Sequence, residues 1–119
     1  MTKESLEEYC LSKRGALKTY PFDAVTAVYK VGGKMFALSS DSSDEVRVNL
    51  KCDPLHAAEL RLVYDCVTPG YHMNKRHWNT VACNKEADDR LVKEWIDDSY
   101  DLVFGSLAKK IQQEINARA

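Results

Sequence analysis

Apolar and polar positions change their period several times along the chain, and each change predicts an element. Leu6, Tyr9 and Cys10 form a helical stripe over residues 2–13, with Thr2 as its cap and Gly15 as its stop. Thr19–Phe22 then leads into extended chain, where Pro21 marks an edge or a first strand residue. Val25–Val31 and Lys34–Leu38 flank Gly32-Gly33, and two β-type runs joined by Gly-Gly predict a hairpin. After the polar loop Ser39–Asp44, Glu45–Lys51 alternates, with Val46, Val48 and Leu50 on one face and Arg47, Asn49 and Lys51 on the other. These three runs predict an antiparallel meander.

Asp53-Pro54 opens a second helix, with Asp53 as cap and Pro54 in the first turn, where its missing N–H is harmless. Leu55, Ala58, Leu62 and Val63 supply its helical spacing, and it is expected to end near Tyr64–Asp65. Tyr71–Trp78 has no period, and Trp78–Cys83 reads as another strand. Asp88 or its neighbour caps a long helix whose apolar face is Leu91, Val92, Trp95, Ile96, Ser99, Leu102 and Val103. Gly105 and Ser106 interrupt it before Leu107, Ile111 and Ile115 continue in a final helix. The expected fold is α+β: an antiparallel sheet packed against N-terminal, middle and long C-terminal helices, in a single domain spanning residues 1–119.

Composition narrows the function classes. Apolar residues make 45% and charged residues 29% of the chain, a balance of globular proteins. No apolar run approaches the ~20 residues of a membrane helix, and the acidic start is unlike a signal peptide, so a cytoplasmic protein without a membrane partner is expected. Cys10, Cys52, Cys66 and Cys83 contain no CxxC pair, which argues against a zinc ribbon or a thioredoxin-type site and for free, buried thiols. The net charge of −1 gives no global pull toward nucleic acid. Its distribution is uneven: no acid occurs between Cys66 and Lys85, whereas seven occur between Glu86 and Asp101.

Candidate chemistry concentrates in Pro69–Trp78, where two imidazoles, an amide, two cations and two aromatic rings fall within ten residues. Lys75 and Arg76 can grip phosphate, and Tyr71 or Trp78 can stack on a base. As alternatives, Trp78 anchors the core and the two cations are merely solvated. His72 and His77 are five residues apart, about 140° on a helix and on opposite faces of a strand, so neither regular structure aims both at one metal ion. Cys66 or Cys83 beside a histidine could form a thiolate–imidazole pair, but no local signature supports one. GxGxxG, GxxxxGK[ST], GxSxG and HExxH motifs are all absent. No catalytic residue, metal or cofactor is therefore assigned.

The order of marks resembles the MmcQ/YjbR family of small bacterial proteins over about Leu6 to Leu107. These marks are Tyr9-Cys10, Thr19–Phe22, the hairpin Val28–Ala37, Val48–Cys52, Pro69–Lys75 with His77-Trp78, and the helix through Ser99-Tyr100. The resemblance implies a frataxin-like (CyaY-like) or secretion-chaperone-like α+β fold and a double-wing DNA-binding motif. The leading expectation is a non-enzymatic protein that binds DNA through Tyr71, His72, Asn74, Lys75, Arg76, His77 and Trp78, with Arg47 and Lys51 beside them. The alternative is a protein-interaction or chaperone-like module that dimerises through its sheet or terminal helix and exposes Leu107, Ile111 and Ile115. A third is a small-molecule pocket lined by His72 and His77.

Overall fold

A computed structural model describes residues 1–70, 73–83 and 86–118. The elements in chain order are α1 (Lys3–Ser12), β1 (Leu17–Thr19), β2 (Thr26–Val31), β3 (Lys34–Ser40), β4 (Arg47–Lys51), α2 (Pro54–Val63), β5 (Val67–Pro69), β6 (Trp78–Ala82), α3 (Asp89–Gly105) and α4 (Lys109–Arg118). Three helix starts follow from their caps: the side chains of Thr2, Asp53 and Asp88 accept the backbone N–H of Ser5, His56 and Leu91. Gly32 and Gly33 turn the β2–β3 hairpin with φ of 57° and 82°, values that only glycine adopts freely.

The strands form one antiparallel sheet in the order β1-β2-β3-β4-β6-β5. The expected meander is present and larger than the sequence pattern indicated. β1 ends at Thr19, ahead of Pro21, because Asp23 Oδ1 accepts the N–H groups of Val25 and Thr26 and holds the segment around Pro21 as a loop. β3 runs on to Ser40. β5, which carries no period of its own, pairs with the far edge of β6.

The two faces of the sheet differ. On one, Ala27, Tyr29, Val31, Phe36, Val48, Leu50 and Val81 pack with Leu6 and Cys10 of α1 and with Val92, Trp95, Ile96 and Val103 of α3. A bulge at Tyr29/Lys30 lets Phe36 join this face, where its ring meets Tyr100 edge-on at 5.3 Å. Tyr100 thus takes the core position expected of Leu102, which stays 43% exposed. Among the described residues the other face carries no helix, only a small cluster of Val28, Leu38 and Trp78 with Met35 and Met73 against it.

Leu107 and Ile115 are buried, with Ile111 on the margin, so the expected apolar patch on the terminal helix is instead part of the core. The helical spacing of α2 is real, but its stripe faces the other way. Ala57 is fully buried and Leu60 partly so, whereas Leu55, Leu62 and Val63 are exposed.

Candidate functional site

The turn between β5 and β6 is built by backbone contacts. Gly70 N–H donates to the carbonyl of Trp78 at 2.8 Å and draws the two strand ends together. A Cβ on Gly70 would lie 2.8 Å from Trp78 Cβ, so only glycine fits there. Met73 folds back onto Val28, Leu38 and Trp78. The carbonyl of Asn74 then accepts the N–H of His77 at 3.2 Å and of Trp78 at 2.9 Å, and its Oδ1 accepts the N–H of Arg76 at 3.0 Å. This side-chain brace puts Lys75 and Arg76 at the crest, exposed. On the inner side, the carbonyl of His77 accepts Cys52 N–H at 2.7 Å and ties the turn to the end of β4.

One residue that the sequence did not single out completes the turn. Arg61 on α2 donates through Nε to the carbonyl of Ala57 at 3.2 Å and through Nη1 to that of Lys75 at 3.1 Å. Lys51 stands opposite Trp78 in the β4–β6 register. Lys51, Arg61, Lys75 and Arg76 therefore surround one turn, and none of them has an ion pair among the described residues.

The nine expected contact residues separate. Asn74, Lys75, Arg76 and half-buried His77 share the turn, and Lys51 adjoins it. Trp78 is 8% exposed and serves as floor, which removes it as a stacking platform. Arg47 pairs with Glu45 at 2.7 Å, four residues from Lys51 and so roughly 13 Å along β4. Tyr71 and His72 lie outside the described residues.

Arg47 instead borders a groove of about 620 Å3 on the helix-free sheet face. Met35, Leu38 and Met73 make its apolar base, Phe22 stands at its mouth, and Asn49 and Thr80 meet across the register at one end. Thr80 Oγ1 donates to Asn49 Oδ1. His77 does not line it.

Thiol chemistry is disfavoured. Burial pushes the Cys10 thiol up to about 12 and those of Cys52, Cys66 and Cys83 up to about 11, so all four are protonated at neutral pH. Among the described residues, no three histidine, cysteine or acidic side chains come together for a metal ion. No helix among them is long and apolar enough to cross a membrane.

The comparisons agree with this fold. The chain is 39% identical to the uncharacterized protein YbdF of Escherichia coli O157:H7 over 97% of its length and 98% of that protein's. It is 33% identical to the uncharacterized protein YjbR of E. coli K12, over 92% of this chain and 93% of that one. The crystal structure of Deinococcus radiodurans protein DR2400, a DUF419 domain, superposes with a TM-score of 0.91 at 36% identity, covering 97% of this chain and 88% of that one. A Pseudomonas syringae protein superposes at 0.73 with 26% identity, covering 87% and 99%. The YjbR family model matches residues 11–102, and with these relatives it establishes that the chain belongs to the YjbR family.

Proposed function

We propose that this protein is a non-enzymatic nucleic-acid-binding protein that holds the phosphate backbone of DNA on the turn Asn74–His77, with Arg61 and Lys51 completing the contact. The carrying observation is four cations around one backbone-braced turn with no ion pair among the described residues to neutralise them. The double-wing motif implied by the family resemblance supports the same reading.

With a net charge of −1, affinity rests on the local cluster and is strongly salt-dependent. Four phosphate contacts on duplex DNA give a slope of log K against log salt of about −3.6, or roughly a 100-fold loss between 50 and 200 mM salt. Lys75→Ala with Arg76→Ala should halve that slope and leave roughly a 10-fold loss over the same range. Fluorescence anisotropy of labelled single- and double-stranded 20-mers at both salts measures this. Absence of binding at 50 mM salt, or a slope the double variant does not change, refutes the assignment.

A further inference from the structure

We infer that the outer face of α2 is a self-association surface, on which two copies of this chain pair through antiparallel α2 helices with Leu55 of each against Leu62 of the other. On this one ten-residue helix, Leu55 is 77% exposed, Leu62 87% and Val63 68%. Seven residues are nearly two helical turns, so Leu55 and Leu62 fall about 20° apart on one stripe. Ala58 and Glu59 flank that stripe, and the opposite side, Ala57 and Leu60, meets the rest of the fold. Among the described residues, no other helix leaves apolar side chains of this size so exposed: the next are Leu102 at 43%, Leu11 at 42% and Ile111 at 37%.

The spacing makes the stripe its own complement. A twofold axis between Ala58 and Glu59 places position 55 against 62 twice and position 54 against 63 twice, with a small side chain at the crossing where the helices must approach. The helix is about 15 Å long, which a second α2 matches end to end. Each exposed aliphatic side chain carries roughly 100 Å2 of apolar surface. Two copies would thus bury on the order of 500 Å2 from these three residues alone, and with their flanks they approach the lower limit of specific interfaces, about 1,000 Å2. An area of that size fits only a weak, reversible dimer.

One charge opposes this pairing and makes it testable. Among the described residues of α2, Glu59 is the one charged side chain beside the stripe, because His56 and Arg61 turn inward. The twofold axis brings both Glu59 carboxylates to the same side of the helix pair, where they repel. Neutralising Glu59 therefore strengthens pairing between copies.

Sedimentation velocity of the purified protein from 10 μM to 1 mM is the test. The expected mass rises from 13.5 kDa toward twice that value. Leu55→Asp with Leu62→Asp should hold it at the monomer value while the thermal melt stays unchanged, since both side chains are exposed. Glu59→Gln should lower the dissociation constant severalfold. Ala58→Cys should form a covalent dimer on mild oxidation, whereas the same change at Gln113 of α4 should not. A constant monomer mass to 1 mM overturns the inference. So does a double aspartate variant that still dimerises, or an Ala58→Cys protein that does not cross-link.

Discussion

Ser99 is the most informative single position for the architecture that supports the turn. Its side chain is fully buried where α3 crosses β3 and β4, and its Oγ donates to the carbonyl of Phe36 at 2.6 Å and accepts Lys51 N–H at 2.8 Å. The β3–β4 pairing is short, with only Ala37↔Leu50 and Leu38↔Asn49 in register. The hydroxyl thus bridges two backbone groups just past the end of that ladder. Ser99→Ala removes one oxygen and leaves both groups without it. A buried polar group stripped of its partner costs about 1–3 kcal/mol, so the pair costs about 2–6 kcal/mol, and partial closure of the strands should bring this to roughly 3 kcal/mol. Total stabilities are typically about 5–15 kcal/mol, so the loss is large but leaves a folded protein.

Urea unfolding followed by far-ultraviolet circular dichroism measures it. With a slope of about 1–3 kcal/mol/M, the midpoint should fall by 1 M or more at unchanged slope. Hydrogen exchange at Lys51 should accelerate by a larger factor than at Val48, which keeps its place in the β4–β6 ladder. A midpoint within about 0.3 M of the parent protein would mean that Lys51 N–H and the Phe36 carbonyl bond each other directly once the hydroxyl is gone, and the bridging role would be refuted.

Two further perturbations probe the core and the turn. Gly70→Ala should cost about 1–3 kcal/mol, because its Cβ would meet Trp78 Cβ at 2.8 Å and the Trp78 carbonyl oxygen at 3.0 Å, and backbone cannot yield as a side-chain tip can; a melting temperature within 1 °C of the parent protein would contradict this. Stability should also fall in alkali, because Cys10 keeps its proton to about 12 in the fold while an unfolded thiol releases it near 9. The native state then binds the proton more tightly, so this contribution is complete below about pH 9 and declines by about 1.4 kcal/mol per pH unit above it. Urea midpoints at pH 8 and 10 under reducing conditions should converge more closely in Cys10→Ala than in the parent, and equal pH dependence in both would exclude the buried thiol as a cause.

Legibility in the sequence tracks how local the determining interaction is. The starts of α1, α2 and α3 are readable because each cap bonds an N–H three residues on. The Gly32-Gly33 hairpin and the alternation of β4 are readable for the same reason. β5 is not, because three residues have no period, and Val67–Pro69 is a strand only by virtue of the β6 edge it meets. Tyr100 displaced Leu102 from the core through a contact with Phe36, which lies 64 positions away and reaches that face through a bulge.

The candidate site divides along the same line. Lys75 and Arg76 stand out in sequence because an acid-free stretch is a local property, and Asn74 braces them over two residues. Arg61 could not stand out, since a lone arginine on an amphipathic helix is ordinary and its role comes from a carbonyl fourteen positions later. The α2 stripe carries the same limit further. Periodicity establishes that Leu55 and Leu62 share a face, but which face meets the sheet is decided by close approach at Ala57, whose carbonyl accepts from both Arg61 and Asn79. The bond from Asn79 of β6, together with that of Arg61 Nη1 to the Lys75 carbonyl, holds the Ala57 side inward and leaves the leucines outside. The contacts that bring Arg61 to the basic turn are thus the ones that turn the apolar stripe of α2 toward solvent, and a twofold pairing on that stripe would set two basic turns symmetrically about one axis.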